Sequence, residues 1–196
     1  MKKILLHACC GPCSTHCVAS LRDAGYEPTL FYSNSNIMPV AEYALRLEAL
    51  RHFAQIASVE LVEDVYDNAR WLACVKGLEN EPEKGARCRL CFGFNLCRAA
   101  GFARERGFAD FTTTLTVSPH KPSPLVFAAG DAAAASAPGP LKPEFRHFDF
   151  KKAGGFLDSV RLAKQYGLYR QSYCGCLFRL PFSTKPNCHQ IGFVVE

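Results

Sequence analysis

Short apolar runs alternate with longer segments of helical periodicity along most of the chain. Residues 2–7 form an apolar run of strand length, whereas residues 39–57 place Tyr43, Leu47 and Leu50 on one stripe at helical spacing. By the same criteria we predict strands at residues 2–7, 28–33, 59–62, 110–114 and 144–150. Helices are predicted at residues 15–24, 39–57, 66–76, 88–106 and 156–166. Strands that alternate with helices favour an α/β fold, a mainly parallel sheet with helices on both faces.

Two segments depart from this alternation. Residues 128–140 are rich in Ala, Gly and Pro, and we interpret their first half as helix and their second half as a loop. Residues 181–196 have no clear periodicity. We therefore predict a single domain over residues 1–180, followed by a C-terminal tail of unclear structure over residues 181–196.

Composition narrows the class of protein. The chain has 196 residues, of which 48% are hydrophobic and 21% are charged, values typical of a packed globular protein and not of a disordered one. No apolar run approaches the roughly 18 residues that a membrane span requires, and the apolar N-terminal run is too short for a secretion signal. We expect a soluble, cytoplasmic protein with no membrane partner.

Charge is distributed unevenly between the two halves of the chain. Residues 1–83 carry 7 basic and 11 acidic side chains, whereas residues 84–196 carry 16 basic and 7 acidic ones. This excess indicates either a polyanionic partner, typically nucleic acid, or a solvated charged surface. Among the basic residues, Lys151, Lys152 and Arg170 are candidates for phosphate contacts.

Cysteine is the most unusual component. The chain contains 11 cysteines, and in a reducing compartment structural disulfides are rare, so metal ligation or redox chemistry is favoured. Seven of the cysteines fall into three clusters: Cys9-Cys10-x-x-Cys13 after the first strand, Cys88-x-x-Cys91 at the start of a helix, and Cys174-Gly175-Cys176 near the C-terminus.

The first two clusters together predict a metal centre. Cys88 and Cys91 are three residues apart at a predicted helix start, where the helix dipole favours thiolates. Combined with Cys9 and Cys10, they supply four sulfurs, a set that suits structural zinc or a 4Fe–4S cluster. Adjacent cysteines reach two irons of a cluster more easily than two corners of one tetrahedral ion, so we favour the cluster. The loop after the first strand also lies at the sheet edge where α/β proteins bind ligands.

The third cluster indicates redox chemistry. A disulfide between Cys174 and Cys176 would close a small, strained ring, and strained disulfides are the labile, redox-active ones. Free thiols or two further metal ligands remain the alternative interpretation of this pair.

Two other functions remain open at this point. The Cys10-Gly11-Pro12-Cys13 segment between a strand and a helix resembles the dithiol of a thioredoxin-like oxidoreductase. A zinc-binding module that binds RNA is the second alternative. A glycine-rich phosphate loop is missing after the first strand, which disfavours ATP-driven chemistry.

Four segments make the chain resemble a known family. Residues 7–13, 86–91, 112–121 and 169–176 are similar to the corresponding segments of the QueH family of epoxyqueuosine reductases. The resemblance extends over about residues 2–180. It implies a single domain of the HUP/PP-loop ATPase-like type, with cysteines in place of the phosphate loop.

The resemblance also implies an activity and a set of site residues. The activity is the two-electron removal of the epoxide oxygen of epoxyqueuosine at the tRNA wobble position, which gives queuosine with electrons from an unknown donor. Carried over by position, Cys9, Cys10, Cys88 and Cys91 are 4Fe–4S ligands, and Cys174 with Cys176 form a redox-active pair. An additional mononuclear iron is implied as well, without its ligands.

Overall fold

Five parallel strands form one sheet in the order β3-β2-β1-β4-β5. The structure, a computed structural model, describes residues 1–137, 139 and 142–179. The strands in this part of the chain are β1 (Lys2–His7), β2 (Tyr26–Tyr32), β3 (Leu61–Glu63), β4 (Asp110–Thr113) and β5 (Glu144–Phe145). The predicted α/β fold with a parallel sheet is confirmed.

Helices cover both faces of this sheet. Within the described residues they are α1 (Gly11–Asp23), α2 (Val40–Ala57), α3 (Asn68–Cys74), α4 (Ala86–Glu105), α5 (Ser123–Ser136) and α6 (Gly155–Gln165). Helices α1, α2 and α6 pack together, and α4 packs against α5. The short helix α3 lies beside α4, where the rings of Trp71 and Phe94 meet edge-on with their centres 5.5 Å apart.

Alternation along the central strand explains the two layers. Ile4 and Leu6 of β1 enter the core that contains α1 and α2, whereas Leu5 enters the core that contains α4 and α5. Successive side chains of a strand point to opposite faces, so a strand that is apolar throughout requires cover on both sides. The sequence pattern of β1 and the double layer of helices therefore have the same cause.

The strand order reverses between β1 and β4. The chain runs from β1 outwards to β2 and β3 and then returns to β4 on the other side of β1. Loops that leave the carboxyl ends of two such strands diverge, which opens a crevice suited to ligand binding. No helix in the described part of the chain is long and apolar enough to cross a membrane.

Several predicted boundaries differ from the structure by one or two residues, and two differ by more. Helix α1 begins at Gly11 instead of residue 15, because Pro12 is compatible with the first helical turn. The fifth strand is two residues long instead of seven. The backbone of Phe148 and Phe150 forms hydrogen bonds with the side chain of Thr116 instead of pairing as a strand. Residues 181–196 lie outside the described residues, so the domain boundary at residue 180 stays a prediction.

Candidate active site and metal centre

A cavity of about 310 Å³ opens at the carboxyl ends of β1 and β4, where the strand order reverses. Its wall includes cysteines from all three sequence clusters: Cys9, Cys13, Cys88, Cys91, Cys174 and Cys176. Cys10 is fully buried beside them, with its sulfur 3.8 Å from that of Cys9. The fold thus brings the three clusters to one place.

The first group of sulfurs is formed by the junction of β1 and α1. The Sγ atoms of Cys9, Cys10 and Cys13 all lie within 4.8 Å of one another. Cys13 joins them because α1 begins early, which places this residue in the first helical turn. Gly11 allows that start, since a Cβ there would lie 2.5 Å from the backbone oxygen of Ala49 on α2.

Protonation differs within this first group. Hydrogen bonds from the Cys10 and Cys13 thiols, together with the Thr114 hydroxyl 3.3 Å away, hold the pKa of Cys9 well below its usual value. The same hydrogen bonds, with burial, raise the pKa of Cys13. Cys9 is therefore the first of the three to ionise, and metal binding to the other two thiols would displace their protons into solution.

The second group contains Cys88, Cys91, Cys174 and Cys176. Burial raises the pKa of Cys91, and the charges of the other three cysteines add to the effect, so these sulfurs lie within electrostatic reach of one another. Backbone and side-chain donors point at two of them. The Lys84 N–H donates to Cys88 Sγ at 3.3 Å, and Asn95 Nδ2 donates to Cys91 Sγ at 3.7 Å.

Lys121 is a cation on the cavity wall among these thiols. Although burial opposes its charge, the nearby Cys174, Cys9, Cys13 and Cys10 raise the pKa of Lys121, so it stays an ammonium group. The sequence interpretation gave this residue no role. The sequence could have indicated it, because Lys121 ends the segment of residues 112–121, which begins in β4 and continues past its carboxyl end.

Several buried polar atoms around the cavity lack partners. In the described chain six buried side-chain nitrogen or oxygen atoms have neither a hydrogen bond nor an ion pair, and five of them belong to cavity residues: Asn36, Trp71, Arg87, Asn95 and Gln171. Such atoms are rare in folded proteins unless something else binds them. Five residues of the cavity wall thus carry a buried polar atom that has no partner in the described chain.

Comparison with known proteins decides the family. The profile described as "Epoxyqueuosine reductase QueH" matches residues 4–181. A protein of Acinetobacter baylyi with the same name is 37% identical over 91% of this chain and 80% of its own length. Those of Thermotoga maritima and Haemophilus influenzae, also named epoxyqueuosine reductase QueH, are 35% and 34% identical over 92% and 93% of this chain and 91% and 74% of their own lengths. The chain belongs to the epoxyqueuosine reductase QueH family.

The QueH match spans all three cysteine clusters, and the family resemblance of the sequence is thereby confirmed. The predicted disulfide is not. All ten cysteines in the described residues are free thiols, including Cys174 and Cys176, and no pair lies at bonding distance. Both cysteines are free, and Gly175 between them has a positive φ of 138°, a conformation that glycine adopts far more readily than other residues. Cys188 is outside the described part.

The three basic residues predicted to contact tRNA occupy different environments in this QueH chain. The Lys151 ammonium donates to the Lys121 carbonyl at 3.1 Å and lies 3.3 Å from Asp149. Lys152 is largely exposed, with 78% of its side chain accessible. Arg170 lies on the cavity wall with its guanidinium 5.5 Å from the centre of the Phe156 ring. Lys152 and Arg170 are thus open to a ligand, whereas Lys151 is engaged within the protein.

Proposed function

We propose that this protein reduces epoxyqueuosine at the wobble position of tRNA to queuosine, using iron held by its cysteines. The observation that carries the proposal is the meeting of seven cysteines at one cavity in a chain of the QueH family. Removing an epoxide oxygen to leave an alkene requires two electrons and two protons, and the oxygen leaves as water. The thiols and the cavity supply a place for redox-active metal and for the nucleoside side by side.

The donor set fits an iron–sulfur cofactor. Thiolates are the ligands that iron–sulfur clusters require. We propose Cys9, Cys10, Cys88 and Cys91 as the ligands of a 4Fe–4S cluster and Cys174 with Cys176 as a redox-active pair. When bound, the cluster supplies single electrons, and an additional mononuclear iron supplies Lewis acidity toward the epoxide oxygen.

The geometry of the first group favours one rival division of the cysteines. An ion bound at about 2.3 Å by tetrahedral sulfurs holds those sulfurs about 3.8 Å apart. The sulfurs of Cys9 and Cys10 are 3.8 Å apart, and Cys13 completes a compact trio. In this division the trio holds the single iron, and Cys88, Cys91, Cys174 and Cys176 hold the cluster.

The remaining cavity residues bind and orient the substrate. The unpartnered oxygens of Asn36, Asn95 and Gln171 accept hydrogen bonds from the N–H groups of the nucleobase. Lys121 holds a proton beside the thiols, close to where the epoxide oxygen gains negative charge. The wobble nucleotide enters flipped out of the anticodon loop, because the cavity lies below the protein surface.

Basic residues on the cavity wall and beside the cavity would bind the anticodon stem-loop. We propose Lys152, Arg170 and, with a smaller share, Lys151 as phosphate contacts. Affinity should then fall with salt with a log–log slope of about −0.7 per contact on single-stranded RNA. Lys152→Ala and Arg170→Ala should each flatten this slope, whereas Lys3→Ala, an exposed lysine at the opposite end of β1, should not. Equal slopes in all variants would reject the assignment.

Anaerobic assay of the purified protein tests the function itself. Protein reconstituted with iron and sulfide should convert epoxyqueuosine to queuosine in tRNA, with electrons from a chemical reductant in place of the unknown physiological donor. About four or five irons per chain fit the cluster with or without the extra ion. Conversion that is absent at full iron loading would reject the proposal, and conversion of the free nucleoside at equal efficiency would reject tRNA as the substrate. We place the reaction in the cytoplasm, where tRNA meets reducing conditions.

The two alternatives predict different results. A thioredoxin-like enzyme requires an accessible thiol of lowered pKa, whereas Cys10 is fully buried and the pKa of Cys13 is raised. Nothing in the structure or the comparisons favours that function. A zinc module that binds RNA would yield colourless protein with zinc and no redox activity.

A further inference from the structure

The segment that carries Cys174 and Cys176 has almost no regular secondary structure, yet it is fixed in place by helix α2. Arg46, which is 1% exposed, donates from Nη1 to the carbonyl of Cys174 at 3.1 Å and from Nη2 to the carbonyl of Tyr173 at 3.0 Å. Its guanidinium also lies 5.2 Å from the centre of the Tyr173 ring. Two successive carbonyls next to the cysteine pair are therefore held by one side chain.

Arg46 is itself held by a buried carboxylate. Its Nε donates to Glu42 Oε1 at 2.7 Å, and Glu42 is only 7% exposed. The other carboxylate oxygen accepts a hydrogen bond from the Tyr169 hydroxyl at 2.7 Å. The three Arg46 nitrogens thus all have partners, in the geometry that a planar guanidinium provides and an ammonium does not.

The backbone on the other side of the segment is equally constrained. The Met38 N–H donates to the Gly175 carbonyl at 2.9 Å, and the Tyr173 hydroxyl donates to the Met38 carbonyl. A Cβ on Gly175 would lie 3.2 Å from Ile37 Cγ1 and 3.5 Å from Arg46 Nη1. A side chain at position 175 would thus be closely packed against Ile37, and its φ of 138° is a conformation that residues other than glycine rarely adopt.

We propose that the Glu42–Arg46 pair is a positioning device that sets the reach of Cys174 and Cys176 toward the sulfurs of the first group. The pair contacts the segment through main-chain carbonyls, so it acts on the cysteines through their backbone. The charge of Arg46 also acts on Cys10 and Cys9, and Gln171 Nε2 of the same segment donates to Cys10 Sγ at 3.2 Å. The segment is thus linked to the first group in two ways, through the charge of Arg46 and through the hydrogen bond of Gln171.

A purely structural role would not require this pair. Burying two charges carries a large desolvation cost, and apolar residues of similar size pack helices at least as stably. Arg46 and Glu42 lie one turn apart on the same face of α2 as Tyr43 and Leu47, which are apolar contacts in the core. We therefore explain the charged pair in that stripe by the two main-chain carbonyls, of Tyr173 and Cys174, that Arg46 holds.

Arg46→Lys tests the proposal because it keeps the positive charge and removes the planar guanidinium that donates to Glu42 and to both carbonyls. In the anaerobically purified holoenzyme we expect iron content and melting temperature close to wild type. The rate of alkylation of Cys174 and Cys176, normalised to the exposed Cys74, should change several-fold, and the EPR spectrum of the reduced centre should shift. With epoxyqueuosine tRNA, kcat should fall about tenfold or more at little-changed KM, since small displacements of reacting groups are costly. Arg51→Lys is the matched control, because Arg51 is on the same helix but pairs with Glu63 at the surface.

The outcomes separate this proposal from the proposed function, on which its catalytic part rests. Wild-type alkylation, EPR spectrum and kcat in Arg46→Lys would overturn it. If Arg46→Lys does not fold, Glu42→Gln, which weakens the hold on Arg46 without removing it, should give the same changes at smaller size, and unchanged values there would overturn it. If the wild-type holoenzyme reduces no epoxyqueuosine, the proposed function fails, but altered alkylation of Cys174 and Cys176 still supports the positioning role.

Discussion

The two cysteine regions at the cavity are built in opposite ways. Cys9, Cys10 and Cys13 lie within five residues at the junction of the central strand and the first helix, and regular backbone hydrogen bonds on both sides hold them. The Cys174–Cys176 region is irregular, and its position depends on Arg46, which is 128 residues away in the sequence from Cys174. The first region is therefore as rigid as the sheet, whereas the second is as rigid as a few side-chain contacts. Moving Cys174 and Cys176 therefore requires the loss of only a few side-chain contacts, whereas moving Cys9 and Cys10 requires a change in the sheet itself.

The largest expected difference is in iron retention. Cys9→Ser should lose most of the iron and more than about 100-fold in activity, since even outer-shell partners of a metal are worth about 10- to 100-fold. Cys176→Ser should keep its iron–sulfur absorbance and lose turnover. Iron analysis, absorbance and conversion of the tRNA substrate measure both.

Cys74→Ser, at an exposed position, is the control and should match wild type. Loss of iron in Cys176→Ser would instead support the division in which the second group holds the cluster. Full iron retention in Cys88→Ser with loss in Cys13→Ser would remove Cys88 from the ligand set.

Stability should respond most at the rigid region. Gly11→Ala forces a Cβ to 2.5 Å from the Ala49 oxygen, so α1 and α2 must separate, at a cost of about 1–3 kcal/mol in the free energy of unfolding. Gly101→Ala in α4 has no atom within 4 Å of the new Cβ and should be stabilising by about 0.5–1 kcal/mol. Denaturant unfolding of both proteins measures the difference. Equal effects would mean that α1 tolerates a shift at its start.

At the irregular region the effect should fall on turnover more than on stability. Gly175→Ala places a side chain at a φ of 138°, at a backbone cost of about 1–2 kcal/mol, and displaces Cys174 and Cys176. Gly77→Ala, at a φ of 85° with no neighbouring atoms, should show a similar loss of stability with normal turnover. Unfolding curves and kcat, measured on the same samples, separate strain from displacement. Normal turnover in Gly175→Ala would show that the position of the pair is uncritical.

The smallest expected effect is a count of protons. Because the pKa of Cys9 is lowered and those of Cys10 and Cys13 are raised, a ferrous ion bound by all three should release protons chiefly from Cys10 and Cys13. The apparent affinity for the metal should rise with pH, because the metal replaces protons on the thiols. The rise should end once those thiols are ionised. Anaerobic titration of the metal-free protein in weak buffer with an indicator dye measures the release. Cys13→Ser should release about one proton fewer, and an unchanged count would show that Cys13 is not a ligand.

Some features of the site were predictable and others had a signal that was missed. The apolar run of β1 followed by cysteines indicated both the central strand and the working edge of the sheet. Pro12 was a sign that α1 starts before residue 15, and an earlier start brings Cys13 back over Cys9. Glu42 and Arg46 stand four residues apart within the apolar stripe of α2, a pattern that signals a buried ion pair.

Other features had no local signal. Residues 146–150 have the composition of a strand, but the Thr116 hydroxyl forms hydrogen bonds with the backbone of Phe148 and Phe150. The rings of these two phenylalanines also stack on each other, with their centres 5.3 Å apart. The spacing of Cys174 and Cys176 permitted a disulfide, whereas both thiols are free in the structure, where Arg46 and Met38 hold the carbonyls of Cys174 and Gly175.

The sequence by itself determined the class of fold, the edge of the sheet that carries the site and the family, because these depend on periodicity and on motifs that are short and contiguous. Only the tertiary structure decided which sulfurs lie together and what holds them. That outcome depends on the reversal of strand order between β1 and β4, on the close approach of α1 to α2 at Gly11, and on an arginine that reaches a segment distant along the chain. Such contacts form between residues whose separation in sequence carries no period, so no local pattern records them.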